Sequence, residues 1–345
     1  MSRRRFLANG TVGAGFASLA AMTGRPAPAG AQVKGREAAA HADAGGAEKD
    51  QARIAITMDL EMARNFPRWE DTEWDYQKGN LNQAAKEYAV RAADRVRAHG
   101  GTIHFFVVGQ VFEQANVDWL KQIVEQGHPV GNHTYDHVYV LAKKREEIQY
   151  RFRRAPWLIE GKPIAQVIRD NIRLTNVALK ERLGIEPAGF RTPGGFSTGL
   201  SGRPDIQSML LELGFDWVSC KYPTHPYSKP HEAPTEEVLN GIVRAQATAQ
   251  PLIYPTGLID IPMSPISDIG AFRTCRWRLE HFLQAIERAV TWTIEQRATF
   301  DFLAHPSCLG VVDPQLKTVD LICHLVKQAG DRAAIVDLGT LARRA

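Results

Sequence analysis

From Ala52 onward, short apolar runs alternate with longer stretches whose apolar residues recur at helical spacing. Arg53–Met58 reads as a first strand. Gln83–Ala98 reads as a helix, with Ala85, Tyr88, Ala89, Ala92 and Val96 on one face and Gly100-Gly101 as its stop. Thr102–Val108 is a second strand, Val117–Gln126 a helix closed by Gly127, and Pro129–Asn132 a short third strand. Ile164–Leu183 is a long helix ended by Gly184. Ala188–Arg191 is a fourth strand, and Ile206–Leu213 a helix ended by Gly214. Later strands are expected at Phe215–Cys220, Leu258–Ile261, Phe300–Ala304 and Ala334–Asp337, and later helices at Glu280–Gln296 and Leu316–Ala329. Two long loops stand out, Ala63–Leu81 and Tyr222–Glu237. Such alternation predicts an α/β fold with a parallel sheet buried by helices, curled into a barrel of (β/α) units rather than left open.

Of the 345 residues, 44% are hydrophobic and 23% charged, which suits a globular chain with a sizeable core. No apolar run approaches the roughly 18 residues that a membrane span needs. Four arginines near the N-terminus account for the whole excess of 42 basic over 38 acidic residues. The remainder is neutral, so the charge gives no support to nucleic-acid binding.

Those arginines sit in Ser2-Arg3-Arg4-Arg5-Phe6-Leu7 and at Arg25, around a Gly/Ala-rich apolar run from Gly10 to Met22. Small residues follow, with Ala27-Pro28-Ala29 or Ala29-Gly30-Ala31 as a cleavage site. Residues 1–31 resemble a twin-arginine export signal. This predicts an exported protein, periplasmic or secreted, with no stable membrane anchor once the signal is removed. Residues 32–51 are Ala/Gly/His-rich and read as a flexible linker, which leaves 52–345 as the catalytic domain. Cys220, Cys275, Cys308 and Cys323 show no CxxC spacing and are expected to be buried free thiols.

Four polar clusters lie at expected strand ends. In Gly131-Asn132-His133-Thr134-Tyr135-Asp136-His137, two histidines four apart would share one face of a helical turn and could grip one metal ion. Surface or core histidines are the plain alternative. Asp59 and Glu61 follow the first strand. Two apart in extended chain, they share a side, so one could ligate a metal while the other acts as base, unless both are simply solvated. Arg191 precedes a rigid turn, Thr192-Pro193-Gly194-Gly195, and could hold a carboxylate or make a structural ion pair. His305 caps the apolar run that begins at Phe300 and is a candidate general acid or base, or a satisfied core histidine.

Taken in order, Asp59, His133-Thr134-x-x-His137, Arg191-x-Pro193-x-Gly195 and Leu303-x-His305 resemble the motifs of NodB-like polysaccharide deacetylases, carbohydrate esterase family 4, over roughly Ala52 to Gly339. The resemblance implies a distorted (β/α) barrel. It further implies a hydrolase that removes acetyl groups from a polysaccharide, chiefly N-acetyl groups of amino sugars in a cell-wall or extracellular glycan. Asp59 would be the base, Arg191 would orient it, and His305 would be the acid. His133 and His137 would bind a divalent metal, commonly zinc. The family usually has Asp-Asp in its first motif, the second being a metal ligand; that position is Leu60 here, and Glu61 could complete the set. The family's acidic residue beside Trp has only Asp216-Trp217 and Asp260 as candidates. Trp69 and Trp74, in the loop that also holds Phe66 and Tyr76, together with Pro193 and Gly194, are expected to touch sugar, although the aromatics could equally pack the loop. Two rivals stand beside this reading: a hydrolase of small amides or ureides on the same barrel, and a glycan-binding homologue without catalysis.

Overall fold

Nine strands form one curled sheet. In the computed structural model, which describes residues 51–61 and 78–345, they are β1 (Ala52–Leu60), β2 (Ile103–Val107), β3 (Val130–Asn132), β4 (Phe190–Phe196), β5 (Trp217–Lys221), β6 (Leu252–Ile253), β7 (Ile259–Asp260), β8 (Thr299–Ala304) and β9 (Ala333–Ile335). The order is β6-β7-β5-β4-β3-β2-β1-β8, with β9 added beside β1. Every pairing is parallel except β6 with β7. The ladder does not close fully. A seam joins its two sides, where Ser264 N donates to Asp301 O at 3.0 Å and Asp301 N donates to Ser264 Oγ at 3.1 Å. The fold is therefore the expected α/β barrel type, distorted into a half-barrel of parallel strands. The expected leader (1–31), nearly all of the linker (32–51), and the aromatics Phe66, Trp69, Trp74 and Tyr76 lie outside the described residues.

Strand alternation sorts the core into an outer shell and a lumen. On β1, Ile54, Ile56, Met58 and Leu60 belong to the large cluster under the helices. Ala55 joins Phe106, Trp217 and Ile261 in a separate inner cluster, closed below by Leu338, Leu341 and Ala342 of a short C-terminal helix. Thr57 and Asp59 continue that inner row upward. Leu60 is thus a packing residue, because period two turns its side chain toward the helices.

Helices form where the apolar stripe and caps agree. Asn82 accepts from Ala85 N at 2.9 Å to start Gln83–Ala98, whose buried face is Ala85, Tyr88, Ala89, Ala92, Ala93 and Val96. The helix Ile164–Leu183 stops at Gly184, in the left-handed region at φ 70°. One expectation needs correction: the loop assigned up to Glu237 gives way at Glu236 to a helix, Glu236–Gln246, capped by Thr235. Among the described residues no helix is long and apolar enough to cross a membrane. All four cysteines are free and buried.

Where β2 passes the lumen, the sheet carries a titratable liability. His104 is buried, stacked on Phe106 at 4.7 Å, with Nε2 2.6 Å from Ala188 O. Its Nδ1 has no hydrogen-bond partner among the described residues. Burial pushes its pKa down to about 4, with Asp337 opposing the drop. A folded value below the ordinary 6.5 means that stability is intact above pH 6.5 and is lost as pH falls toward 4. We expect urea-unfolding free energy to lose roughly 3 kcal/mol over that window, and a His104→Phe protein to lack this share of the slope. Identical slopes in the two proteins would show that His104 is not its source.

Candidate metal centre

The polar residues of the lumen meet at the C-terminal strand ends, where barrel sites are built. They surround a cavity of about 400 Å³ that Asp59, Glu61, Lys78, His133, His137 and His305 help to line. Tyr222, Tyr227, Met263, Ile269 and Leu303 provide apolar wall.

Two of the candidate ligands come from a segment whose geometry differs from the expected helical turn. Residues 133–137 are irregular, and Thr134 and His137 both have left-handed backbone, at φ 59° and 58°. Side-chain hydrogen bonds compensate for this strain. Asn132 Oδ1 accepts from Thr134 N at 2.7 Å, and Thr134 Oγ1 accepts from Val138 N at 3.0 Å. From the helix Ile164–Leu183, Asn171 Oδ1 accepts from Asp136 N at 2.8 Å. The two imidazoles end with ring centroids 5.0 Å apart. Arg191 O lies 2.9 Å from His133 Nδ1, which leaves Nε2 for the cavity.

Glu61 faces them. Its Oε2 is 2.7 Å from His133 Nε2 and in closer contact still with His137 Nε2. The ligand atoms of Glu61, His133 and His137 lie within 4.8 Å of one another. One carboxylate oxygen and two imidazole nitrogens form a donor set suited to zinc and similar divalent ions, with room left for a further ligand. The residues present therefore fit such an ion. Burial works against the Glu61 charge, but His137, Lys78 and His133 outweigh it and hold the carboxyl well below its ordinary range. Burial pushes the His137 imidazole down, toward the neutral form that a ligand needs.

Asp59 occupies the next inward position below. Its Oδ1 accepts from Arg191 at 3.0 Å, and its Oδ2 lies 3.8 Å from His133 Nε2 and 3.9 Å from His305 Nε2. The Arg191 side chain has no solvent exposure. Its guanidinium also donates to Asp301 Oδ2 at 2.5 Å, Thr57 Oγ1 at 2.8 Å and Ser219 Oγ at 3.0 Å, and it lies over the Phe106 ring at 4.4 Å. Burial opposes its charge, yet Asp301 and Asp59 keep its pKa above the ordinary value. His305 is gripped by Asp268, which accepts from His305 N at 2.7 Å and pairs with Nδ1 at 2.9 Å. Burial disfavours the imidazolium, but Asp268 and then Glu61 raise its pKa to about 10.

Besides Asp59 and Glu61, the acids that meet Arg191 and His305 are thus Asp301 and Asp268, and neither acid offered for the family's acidic motif stands there. Asp216 is exposed. Asp260 is buried elsewhere, taking hydrogen bonds from Cys220 N, Lys221 N and the Tyr254 hydroxyl, which fixes β5 and β7. Gly194 lines the cavity with Thr192 and Gly195, at a register shift in β4 between Arg191 and Phe196, whereas Pro193 is buried in the strand and is not part of the lining. Lys78 went unnoticed in the sequence. It is 1% exposed, with its Nζ paired to Glu61 Oε1.

Removing the guanidinium strands two buried carboxylates. Arg191→Met should cost about 3–5 kcal/mol in urea unfolding. A loss under about 1 kcal/mol would mean that the surrounding acids do not depend on it.

Residues 75–203 match the polysaccharide deacetylase family model. Over 109 residues, 32% of this chain, the sequence is 27% identical to a peptidoglycan-N-acetylglucosamine deacetylase of Bacillus cereus, and the match spans 41% of that relative. The fold is similar to that of a polysaccharide deacetylase from Pseudomonas aeruginosa PAO1, with a TM-score of 0.55 and 14% identity, covering 84% of this chain and 89% of the other. It is also similar to an allantoinase, with a TM-score of 0.53 and 12% identity, covering 86% and 90% of the two chains. Family model and fold point the same way: residues 75–203 are similar to the polysaccharide deacetylase family, and the fold is similar to that of its solved relatives.

Proposed function

We propose that the protein is a metal-dependent hydrolase that removes N-acetyl groups from amino sugars of an extracytoplasmic polysaccharide. The single observation that carries this reading is the convergence, around one cavity, of a Glu-His-His donor set with Asp59 and His305. The relative named for action on peptidoglycan N-acetylglucosamine points to the class of substrate.

Glu61, His133 and His137 would hold the ion. A divalent ion, with zinc the expected one, supplies Lewis acidity there: it polarises a carbonyl and activates water near neutral pH. The remaining work belongs to side chains. Asp59, fixed through Oδ1 by Arg191, presents Oδ2 to take the proton of the attacking water. His305, held by Asp268 and protonated at neutral pH, gives its proton to the departing amine. The apolar wall, with Tyr222, Tyr227 and Leu303, limits water around the acetyl group. Trp69 and Trp74 remain candidates for stacking on neighbouring sugars. Export by the twin-arginine route belongs to the same proposal. Changing Arg3 and Arg4 together to Lys should retain the chain in the cytoplasm on cell fractionation, and unchanged export would remove that part of it.

Acetate release from N-acetylglucosamine oligomers tests the chemistry. Asp59→Asn should lower kcat by about 10²–10⁴-fold with metal content unchanged. His133→Ala should lose both metal and activity, and chelation of the wild-type protein should abolish activity until an ion is restored. Full activity in Asp59→Asn, or after chelation, would sink the proposal. Hydrolysis of small ureides in preference to the oligomers would instead transfer the same machinery to the allantoinase-like alternative.

A further inference from the structure

Lys78 is a buried charged residue of the cavity that the proposed chemistry leaves unused, and its surroundings fix it firmly. The Lys78–Gly79 turn is tied to the end of β1, where Gly79 N donates to Glu61 O at 2.7 Å. Gly79 O accepts from Gln114 Nε2 at 3.2 Å. Gly79 has φ +86°, and a Cβ there would lie 2.7 Å from Gln110 Cβ, so the turn sits tight against the segment after β2. From it the Lys78 side chain runs inward, 1% exposed, to Glu61 Oε1.

Glu61 is therefore divided between two sets of neighbours. Oε2 meets the Nε2 atoms of His133 and His137. Oε1 meets the Lys78 ammonium, with His305 Nε2 at 3.3 Å. The division matters because Glu61 belongs to two possible ligand groups, one with His133 and His137, the other with Asp59 and His305. A cation taken by the second group would consume the proposed base and acid. A fixed ammonium beside Oε1 repels a dication from that side and occupies the oxygen that such an ion would use.

Resting on the metal centre proposed above, we propose that Lys78 is a positioning residue that assigns the two oxygens of Glu61. Oε2 goes to the cation with His133 and His137, Oε1 goes to its own ammonium, and Asp59 and His305 stay out of the ligand set. Glu61 is then a one-oxygen ligand, and a coordination position stays open.

Cobalt(II) loaded into the purified full-length protein reads this directly, since visible-band intensity falls as coordination number rises. Wild type should take about one ion per chain with an intense spectrum. Lys78→Met should still bind cobalt, with the band reduced by about half or more as Oε1 or another oxygen joins the ion. Lys78→Arg, which keeps a cationic donor, should restore the wild-type spectrum. Should Lys78→Met not fold, as judged by circular dichroism, Lys78→Gln is read in the same way. An unchanged spectrum in the folded Met or Gln variant overturns the assignment alone. A folded variant that no longer takes cobalt also overturns it, because the ammonium would then be required for binding rather than for dividing the oxygens. Wild-type protein that takes no cobalt overturns the metal centre and this assignment together.

Discussion

The Arg191 guanidinium, without solvent exposure, stands where β1, β4, β5 and β8 converge, and the site is built outward from it. A charge so deeply buried is tolerable only if its donors and its field are answered. Thr57 and Asp59 answer from β1, Ser219 from β5 and Asp301 from β8, while the Phe106 face covers it from β2. This cluster spans the curled sheet, and Asp301 is also a member of the Ser264 seam that joins its two sides. Cohesion of the half-barrel and orientation of Asp59 are therefore served by the same hydrogen bonds. A change that loosened Arg191 would be felt as lost stability and as a misdirected carboxylate at once.

Above this cluster the site divides its acids by their partners. Asp301 faces the guanidinium, Asp268 faces His305, and Glu61 faces the histidine pair and Lys78. Each of these buried acids thus has a cationic or imidazole partner within contact distance. The arrangement also separates His305 from His137. Burial lowers both in principle, but the Asp268 and Glu61 charges reverse the result for His305, while His137 stays depressed. Of two imidazoles in one pocket, His305 is raised by its acidic neighbours and His137 is lowered by burial, and a site can use such opposed pKa values to give like groups different tasks.

Much of this was legible in the chain, for reasons that differ from residue to residue. Strand periodicity places Asp59 and Glu61 on one side and Leu60 on the other, and the same rule explains why Leu60 packs under the helices while Glu61 faces the histidines. The histidine pair was found by its spacing, although the inferred helical turn is absent: left-handed backbone at Thr134 and His137 brings the rings together instead. No propensity rule predicts two such residues, because they are sustained by Asn132 and Asn171 from other elements. The helix Glu236–Gln246 did carry a signal, Thr235 followed by two acids and then Val238, Leu239 and Ile242, which the Pro-rich segment before it obscured. Asp268 and Lys78 carried none. A lone acid in irregular chain and a lone lysine beside a glycine look like solvated residues until folding brings them to His305 and Glu61.

The position of Glu61 shows why Lys78 had something to hold. A carboxylate two residues beyond Asp59 reaches the histidines from the end of β1, where the strand no longer constrains it, and Glu has one more rotatable bond than Asp. Ordering that extra bond costs some tenths of a kcal/mol to about 1 kcal/mol, and a wandering carboxylate offers either oxygen, or both, to a cation. The structure restrains Glu61 at both ends: Gly79 N takes its backbone carbonyl, and the neighbouring Lys78 takes Oε1. One turn therefore supplies both restraints, and its own place is secured by a glycine that leaves no room for a Cβ beside Gln110. On this view Glu61, Lys78 and Gly79 form a single device, in which the longer ligand side chain and the residues that restrain it belong together.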